Sequence, residues 1–431
     1  MPLQTKHLSP RFLSLPGLAV LLLSACNTPD AALGVDQSLT NDAGGHASSN
    51  SALFRVDLGT LGGSSSYAAD INGNEIVVGW SETSSGATHA FRWSANGGMV
   101  DLGTLPGDSE SRAVAIIDGA TTSGGQILGV SGSGAQWTPV TWSASGSISR
   151  LPIGLIPSFT FGLPVGFNSA GDVVGWDGGL GLQHGWKWSA DAGKYDLSAN
   201  VEGGSNEGSA GGVTASGLVV LTTRAFTCHQ NPQCWRTYLW SKTQGYAAVG
   251  TPGSDPEASV TGLGISEQGT VVGWATINEK NAFPYRWTVS TGFTPLSQYS
   301  NASNSYGYAT AVNSAGTVVG AAFEPTSGSI VATTWPATGG IVRLSADDPN
   351  PSVAVAINSA GTIAGWASVS DHVNHAVVWS SSLKGSHSNL LVPGPTPRYL
   401  SSASTPCLKG VRAILTRQAL FSCAINADHG R

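Results

Sequence analysis

The chain has 431 residues, of which 57 are Gly and only 11% are charged, with fourteen Trp against two Met. This skew favours strands over helix bundles, because aromatic side chains fit a pleated, half-buried surface. A net charge of −6 with only 20 Lys and Arg excludes a basic field able to neutralise a phosphate backbone, so no nucleic-acid partner is expected, and the 41% hydrophobic content excludes a disordered chain.

Lys6, His7 and Arg11 precede an apolar run from Phe12 to Leu23 that ends in Ser24-Ala25-Cys26. A basic start, a short apolar stretch and small residues at the cut read as a secretory signal over 1–25, too short and too interrupted by Pro16 to span a bilayer. Leu23-Ser24-Ala25-Cys26 resembles the lipobox of bacterial lipoproteins. The resemblance implies cleavage before Cys26, acylation of that residue, and an exported protein held to the cell envelope by its lipid. Two or more acyl chains hold a protein to a membrane stably. Asn27 after the Cys implies the outer membrane in a Gram-negative host. Residues 26–52 are rich in Asp, Ala, Gly, Ser and Asn and read as a flexible tether, with a reach of roughly 25–30 Å.

From residue 53 to 392 the chain repeats. Trp93, Trp142, Trp188, Trp240, Trp287, Trp335 and Trp379 recur at intervals of 49, 46, 52, 47, 48 and 44. A turn and an apolar run precede each, clearest in NSAGDVVGW (168–176), SEQGTVVGW (266–274), NSAGTVVGA (313–321) and NSAGTIAGW (358–366). Each unit reads as four short strands. Strand A enters the turn, strand B is the Val-Val-Gly run, strand C ends at the Trp, and strand D follows a Gly-containing turn, as in MVDLGTL (99–105). In the A–B turn Asn or Ser stands first and Gly fourth, the preference of a type I turn. Gly in strand B indicates a close backbone approach.

Four strands every 44–52 residues is the signature of a propeller blade. The expected fold is therefore all-β: a seven-bladed β-propeller of four-stranded blades. Phe54 to Leu61 repeats strand D of the first unit before any strand A appears, so this N-terminal strand is expected to complete the last blade and close the ring, with Asn389–Val392 as a competitor for the place.

The segments DLGTLGG (57–63), INGNEIVVGWS (71–81), HAFRWS (89–94) and DLGTLPG (101–107) resemble the bacterial extracellular HAF-repeat family. The resemblance covers about residues 54–380 and implies export and a propeller-like fold; it implies no reaction. The HAF His is replaced by Thr138, Arg236, Phe283 and Val331 in units two, four, five and six.

Motifs of hydrolases, zinc proteases and phosphate loops are missing from the sequence, and no cofactor or metal is expected. His89, His184 and His375 lie four residues before an anchor Trp in different blades and read as hydrogen-bonded structural residues. The variable B–C and D–A connections share one end of the ring, where function is expected. Candidate binding residues there are Asp108, Glu110, Arg112, Trp137, Arg224, His229, Trp235, Arg236, Asp371 and His372, with the insertion at 222–236 first among them. Four cysteines besides Cys26 allow three pairings, and proximity favours Cys228 with Cys234 and Cys407 with Cys423. Residues 393–431 differ in composition and form a tail, with Val411–Phe421 a candidate short helix. The expected activity is that of a monomeric binding module for a surface polysaccharide or envelope protein. The competing expectation is a hydrolase or lyase with carboxylates converging at the channel mouth.

Overall fold

A computed structural model describes residues 53–382 except 119–124, 135, 155–160, 180–181, 202–203, 226–233, 278–281, 301–304, 346–347, 349 and 371–372. The chain divides into two units, Met1–Ala52 and Leu53–Arg431, and all described residues lie in the second. The signal, Cys26, the tether, Cys228, His229, Asp371, His372, the competing strand at 389–392, Cys407, Cys423 and the tail fall outside them.

Seven four-stranded antiparallel sheets form the ring. Blade 1 comprises strands A to D at Gly62–Ile71, Val77–Thr83, Thr88–Ser94 and Gly98–Asp101. The A strands of blades 2 to 7 are Glu110–Ile116, Phe161–Phe167, Gly204–Val213, Ser259–Ile265, Gly307–Val312 and Ser352–Ile357. Each contacts the A strands of the blades on either side, and the cycle closes from Ser352–Ile357 back to Gly62–Ile71. The architecture is the seven-bladed propeller read from the repeat.

Closure follows the expected route. Strand C of blade 7, Val373–Ser380, pairs with the N-terminal strand Phe54–Asp57, with Arg55 opposite Trp379 and Asp57 opposite Val377. The sequence reading carried strand D on to Leu61 and Leu105; both strands stop sooner, at Asp57 and Asp101. The reason is local. Asp57 Oδ1 accepts the Gly59 N–H at 2.8 Å and Asp101 Oδ1 accepts the Gly103 N–H at 2.7 Å, so each carboxylate turns the chain.

Every strand A carries a β-bulge at the same place, between Ala68 and Asp70 in blade 1 and between Ala309 and Ala311 in blade 6, for example. Opposite it stands the strand B Gly. A Cβ on Gly79 would lie 2.0 Å from the Tyr67 carbonyl oxygen, a distance no side chain tolerates. In blade 4, where Leu221 fills the Gly position, strand A supplies Gly208, Gly211 and Gly212 instead.

The blades are joined by a few repeated bonds. In the A–B turns, Asn168 Oδ1 accepts the Ala170 and Asp172 N–H groups while its Nδ2 donates to the Thr214 carbonyl one blade on, at 2.9 Å. Asn313 donates likewise to Asn358, and Asn358 to Asn72, from blade 7 to blade 1, at 3.1 and 3.0 Å. The anchor indoles act in the same way: Trp142 Nε1 donates to the Leu102 carbonyl and Trp335 Nε1 to that of Ser297, each in the preceding D–A connection. Six of the seven anchor Trp are buried and Trp287 is half-buried. Their apolar surface supplies the burial that drives packing between sheets.

Candidate functional site

Strands B and D both run toward the end that bears the B–C and D–A connections. The three HAF histidines lie there, each held by an aspartate of strand D. His89 Nδ1 meets Asp101 Oδ2 at 2.8 Å, His184 meets Asp196 at 2.7 Å, and His375 meets Asp57 at 2.9 Å. In each aspartate the other job is the turn just described; Asp196 Oδ1 accepts the Ser198 and Ala199 N–H groups. Thus the His and the DLG motif form one latch between strand C, strand D and the following turn. Where His is replaced, so is Asp: Thr138 faces Arg150 across the two strands, with Arg150 Nη1 donating to Thr138 Oγ1 at 3.4 Å. The Asp57 carboxylate holds the His375 imidazolium above its ordinary value of 6.5 against the opposing effect of burial. Burial works against ionised Asp57, yet the hydrogen bonds from His375 and Gly59 leave its carboxyl below the ordinary 3.8.

Most charged residues singled out from the sequence are bound into the fold. Arg112 is 1% exposed, so it does not belong to the solvated loops; its guanidinium lies 5.1 Å from the Trp137 ring centroid and 3.7 Å from Glu110. Asp108 accepts the Ser131 hydroxyl at 2.7 Å. Arg224 pairs with Glu207 at 3.2 Å. Arg236 folds back to donate to the carbonyls of Pro256 and Ala258. Trp235 is half-buried, its backbone N–H donating to Ser259 Oγ at 2.8 Å. Cys234 is buried against Ala225. Of the 222–236 insertion, 226–233 lies outside the described residues.

Between blades 2 and 3 the structure holds a cavity of about 140 Å³. One wall is Trp137, Thr138 and Pro139, from strand C of blade 2 (Gln136–Trp142), with Leu151 and Ile153 from the connection beyond its strand D. The other is Gly162, Asp177, Trp186 and Lys194 from the four strands of blade 3. Asp177 is fully buried and accepts both the Trp186 indole N–H, at 2.7 Å, and the Lys194 ammonium, at 2.5 Å. Lys194 lies 4.5 Å from the Trp186 ring centroid and donates to the Gly154 carbonyl at 2.7 Å. Burial pushes the Lys194 ammonium below its ordinary value, against the opposing hydrogen bond and charge of Asp177. The Trp137 indole N–H is buried and has no hydrogen-bond partner. Of the candidates read from the sequence this cavity gathers Trp137 and Asp177; Trp186 and Lys194 stand where blade 1 has Phe91 and Met99. Among the described residues, no group of three or more His, Cys, Asp or Glu is placed to hold a metal ion.

No family model matches the sequence, and no curated protein matches it. Solved structures do resemble the fold. Oligogalacturonate lyase from Vibrio parahaemolyticus is 8% identical with a TM-score of 0.50, the match covering 77% of this chain and 94% of that one. TolB from Acinetobacter baumannii is 12% identical with a TM-score of 0.39, and the match spans 61% of each chain. Likeness at these identities concerns the propeller alone.

Proposed function

We propose that the protein is an exported binding module of the HAF-repeat kind. On this reading acyl chains on Cys26 hold it at the cell envelope, and it engages a polysaccharide or an envelope component through the end bearing the B–C and D–A connections. One observation carries the reading. Among the described residues, ionisable side chains at that end are tied into internal latches such as His89–Asp101, Asp177–Lys194 and Arg224–Glu207, while a cavity lined by Trp137, Thr138, Pro139 and Lys194 lies between blades 2 and 3. Concave apolar walls with a few fixed polar groups are the ordinary make-up of a ligand site.

Two measurements test the proposal. The full chain, produced with its signal, is expected in the membrane fraction, and Cys26→Ser is expected to release it; retention of the variant, with no lipid on the wild type, defeats the anchor. Purified full chain is expected to bind members of a glycan array, or isolated envelope polysaccharide, without shortening them. Steady appearance of new chain ends in the polysaccharide would replace the binding role by a catalytic one.

A further inference from the structure

We infer that the cavity between blades 2 and 3 is a subsite for one neutral, hydroxyl-bearing ring, such as a single pyranose residue of a glycan. The inference rests on the binding role proposed above and names its ligand class and place.

Size sets the first limit. At about 140 Å³ the cavity falls below the roughly 300–1,000 Å³ of sites for drug-sized ligands, which leaves room for one ring rather than for a lengthy chain. The walls set the second. Trp137, Pro139, Leu151 and Ile153 offer apolar surface on the blade 2 side. The face of an indole carries negative charge density, and aliphatic ring C–H groups are weakly positive where they meet it.

Polar groups set the third limit, and they are mostly donors. The Trp137 N–H has no hydrogen-bond partner among the described residues but is closed off within the wall, out of a ligand's reach. Lys194 has three N–H bonds, with Gly154 and Asp177 as recorded acceptors. Thr138 adds a hydroxyl that can donate as well as accept. Hydroxyl and ring oxygens match that set.

Charge excludes the alternatives. Asp177 is fully buried and already offsets Lys194. A ligand carboxylate or phosphate would enter a poorly solvated space beside the Asp177 charge, and a ligand ammonium would crowd Lys194. Both placements bury charge without a counter-charge of their own. A neutral ring incurs neither cost.

The test uses the purified full chain and methyl glycosides: a neutral set (glucoside, galactoside, mannoside, fucoside), a glucuronide and a glucosaminide. Titration calorimetry and saturation-transfer NMR are expected to find at least one neutral glycoside binding with a Kd on the order of 1 mM, with the glucuronide and glucosaminide at least about tenfold weaker. Trp137→Ala, which removes an apolar wall of the cavity, should weaken binding more than about tenfold. Thr138→Val, nearly the same shape, gives a second variant if Trp137→Ala does not fold. Tighter binding of the charged glycosides overturns the inference, and so does neutral binding that ignores both Trp137→Ala and Thr138→Val. In that last case, loss of binding in Trp235→Ala would leave the binding role standing with the site elsewhere. If neither the methyl glycosides nor any array glycan binds, the subsite and the glycan-binding role fall together.

Discussion

At the scale of single residues, the sequence repeats because a few side chains each do two jobs. Trp142 is wholly buried and its indole donates to Leu102 at 2.9 Å, so it fills the space between two blades and bonds them. Trp142→Ala is expected to cost about 3–5 kcal/mol, measured as a fall in the free energy of urea unfolding. Glu75 is a contrasting case. It occupies the turn position that Gly171, Gly316 and Gly361 fill in other blades, and like them it adopts a positive φ, here 57°. Its carboxylate accepts hydroxyl bonds from Thr362 at 2.6 Å and Ser382 at 3.0 Å, tying blade 1 to blade 7. Glu75→Ala loses these bonds and keeps the strain, whereas Glu75→Gly loses the bonds and the strain together. The Gly variant should therefore be more stable than the Ala variant by about 1 kcal/mol, a difference that paired thermal melts would show.

The His375–Asp57 latch makes the seam depend on pH. The folded His375 titrates above 6.5, so its contribution is complete below that value and fades as pH rises through the raised one. Folded Asp57 titrates below 3.8, so its contribution is complete above that value and is lost as pH falls through the lowered one. The two conditions overlap between about pH 4 and 6.5. Corrected for its intrinsic pH dependence, amide exchange in Phe54–Asp57 should show more protection near pH 5.5 than near pH 8.5 in the wild type. Equal protection at the two values, or the same change in His375→Gln, would show that the latch does not govern the seam. Both aspartate and histidine are partly exposed, so the effect is confined to the seam.

At the scale of strands and turns, the strand B Gly and the strand A bulge form a unit. Gly79→Ala would force a methyl group against the Tyr67 carbonyl, and should destabilise the protein by about 1–3 kcal/mol, read from the same urea titration. The strands, their order and the turns could be read from spacing alone, since the interval from the strand B Gly to the anchor Trp stays within 13–15 residues in six units. The bulge could not, because one extra residue in strand A leaves that interval unchanged. The His–Asp latches had a trace in the sequence: Asp101 follows His89, and Asp196 follows His184, by the same twelve residues. In blade 7 the partner is Asp57, more than three hundred positions upstream, which hides the pattern from any local reading. The cavity was less legible still. It joins two blades at positions where blade 3 carries Asp177, Trp186 and Lys194 in place of the Ser81, Phe91 and Met99 of blade 1, and Trp137 stood out as an aromatic residue outside the repeated places.

At the scale of the whole molecule, the junction of blades 7 and 1 repeats a pair of bonds found elsewhere in the ring. Ser66 accepts the Ala376 N–H at 2.9 Å and donates to the Gly59 carbonyl at 2.6 Å; between blades 1 and 2, Ser111 does the same with Ala90 and Gly103. That pair of bonds is thus the same at both junctions, and the Glu75 bonds to Thr362 and Ser382 are added at the first. Removing residues 53–57 should uncover the edge of Val373–Ser380, lower the thermal midpoint and promote self-association, visible as a rise in mass by light scattering. A deletion variant as stable and as monomeric as the parent would mean that the N-terminal strand does not close the ring.

That closing strand also fixes an order of events. Phe54–Asp57 leaves the ribosome before any complete blade, yet its partner, Val373–Ser380, is made more than three hundred residues later. Contacts this distant in sequence form late, because a long loop must first be brought together. Until the two pair, Val373–Ser380 keeps an edge open to pairing with another chain. The first of the described strands is expected to be the last to find its neighbour.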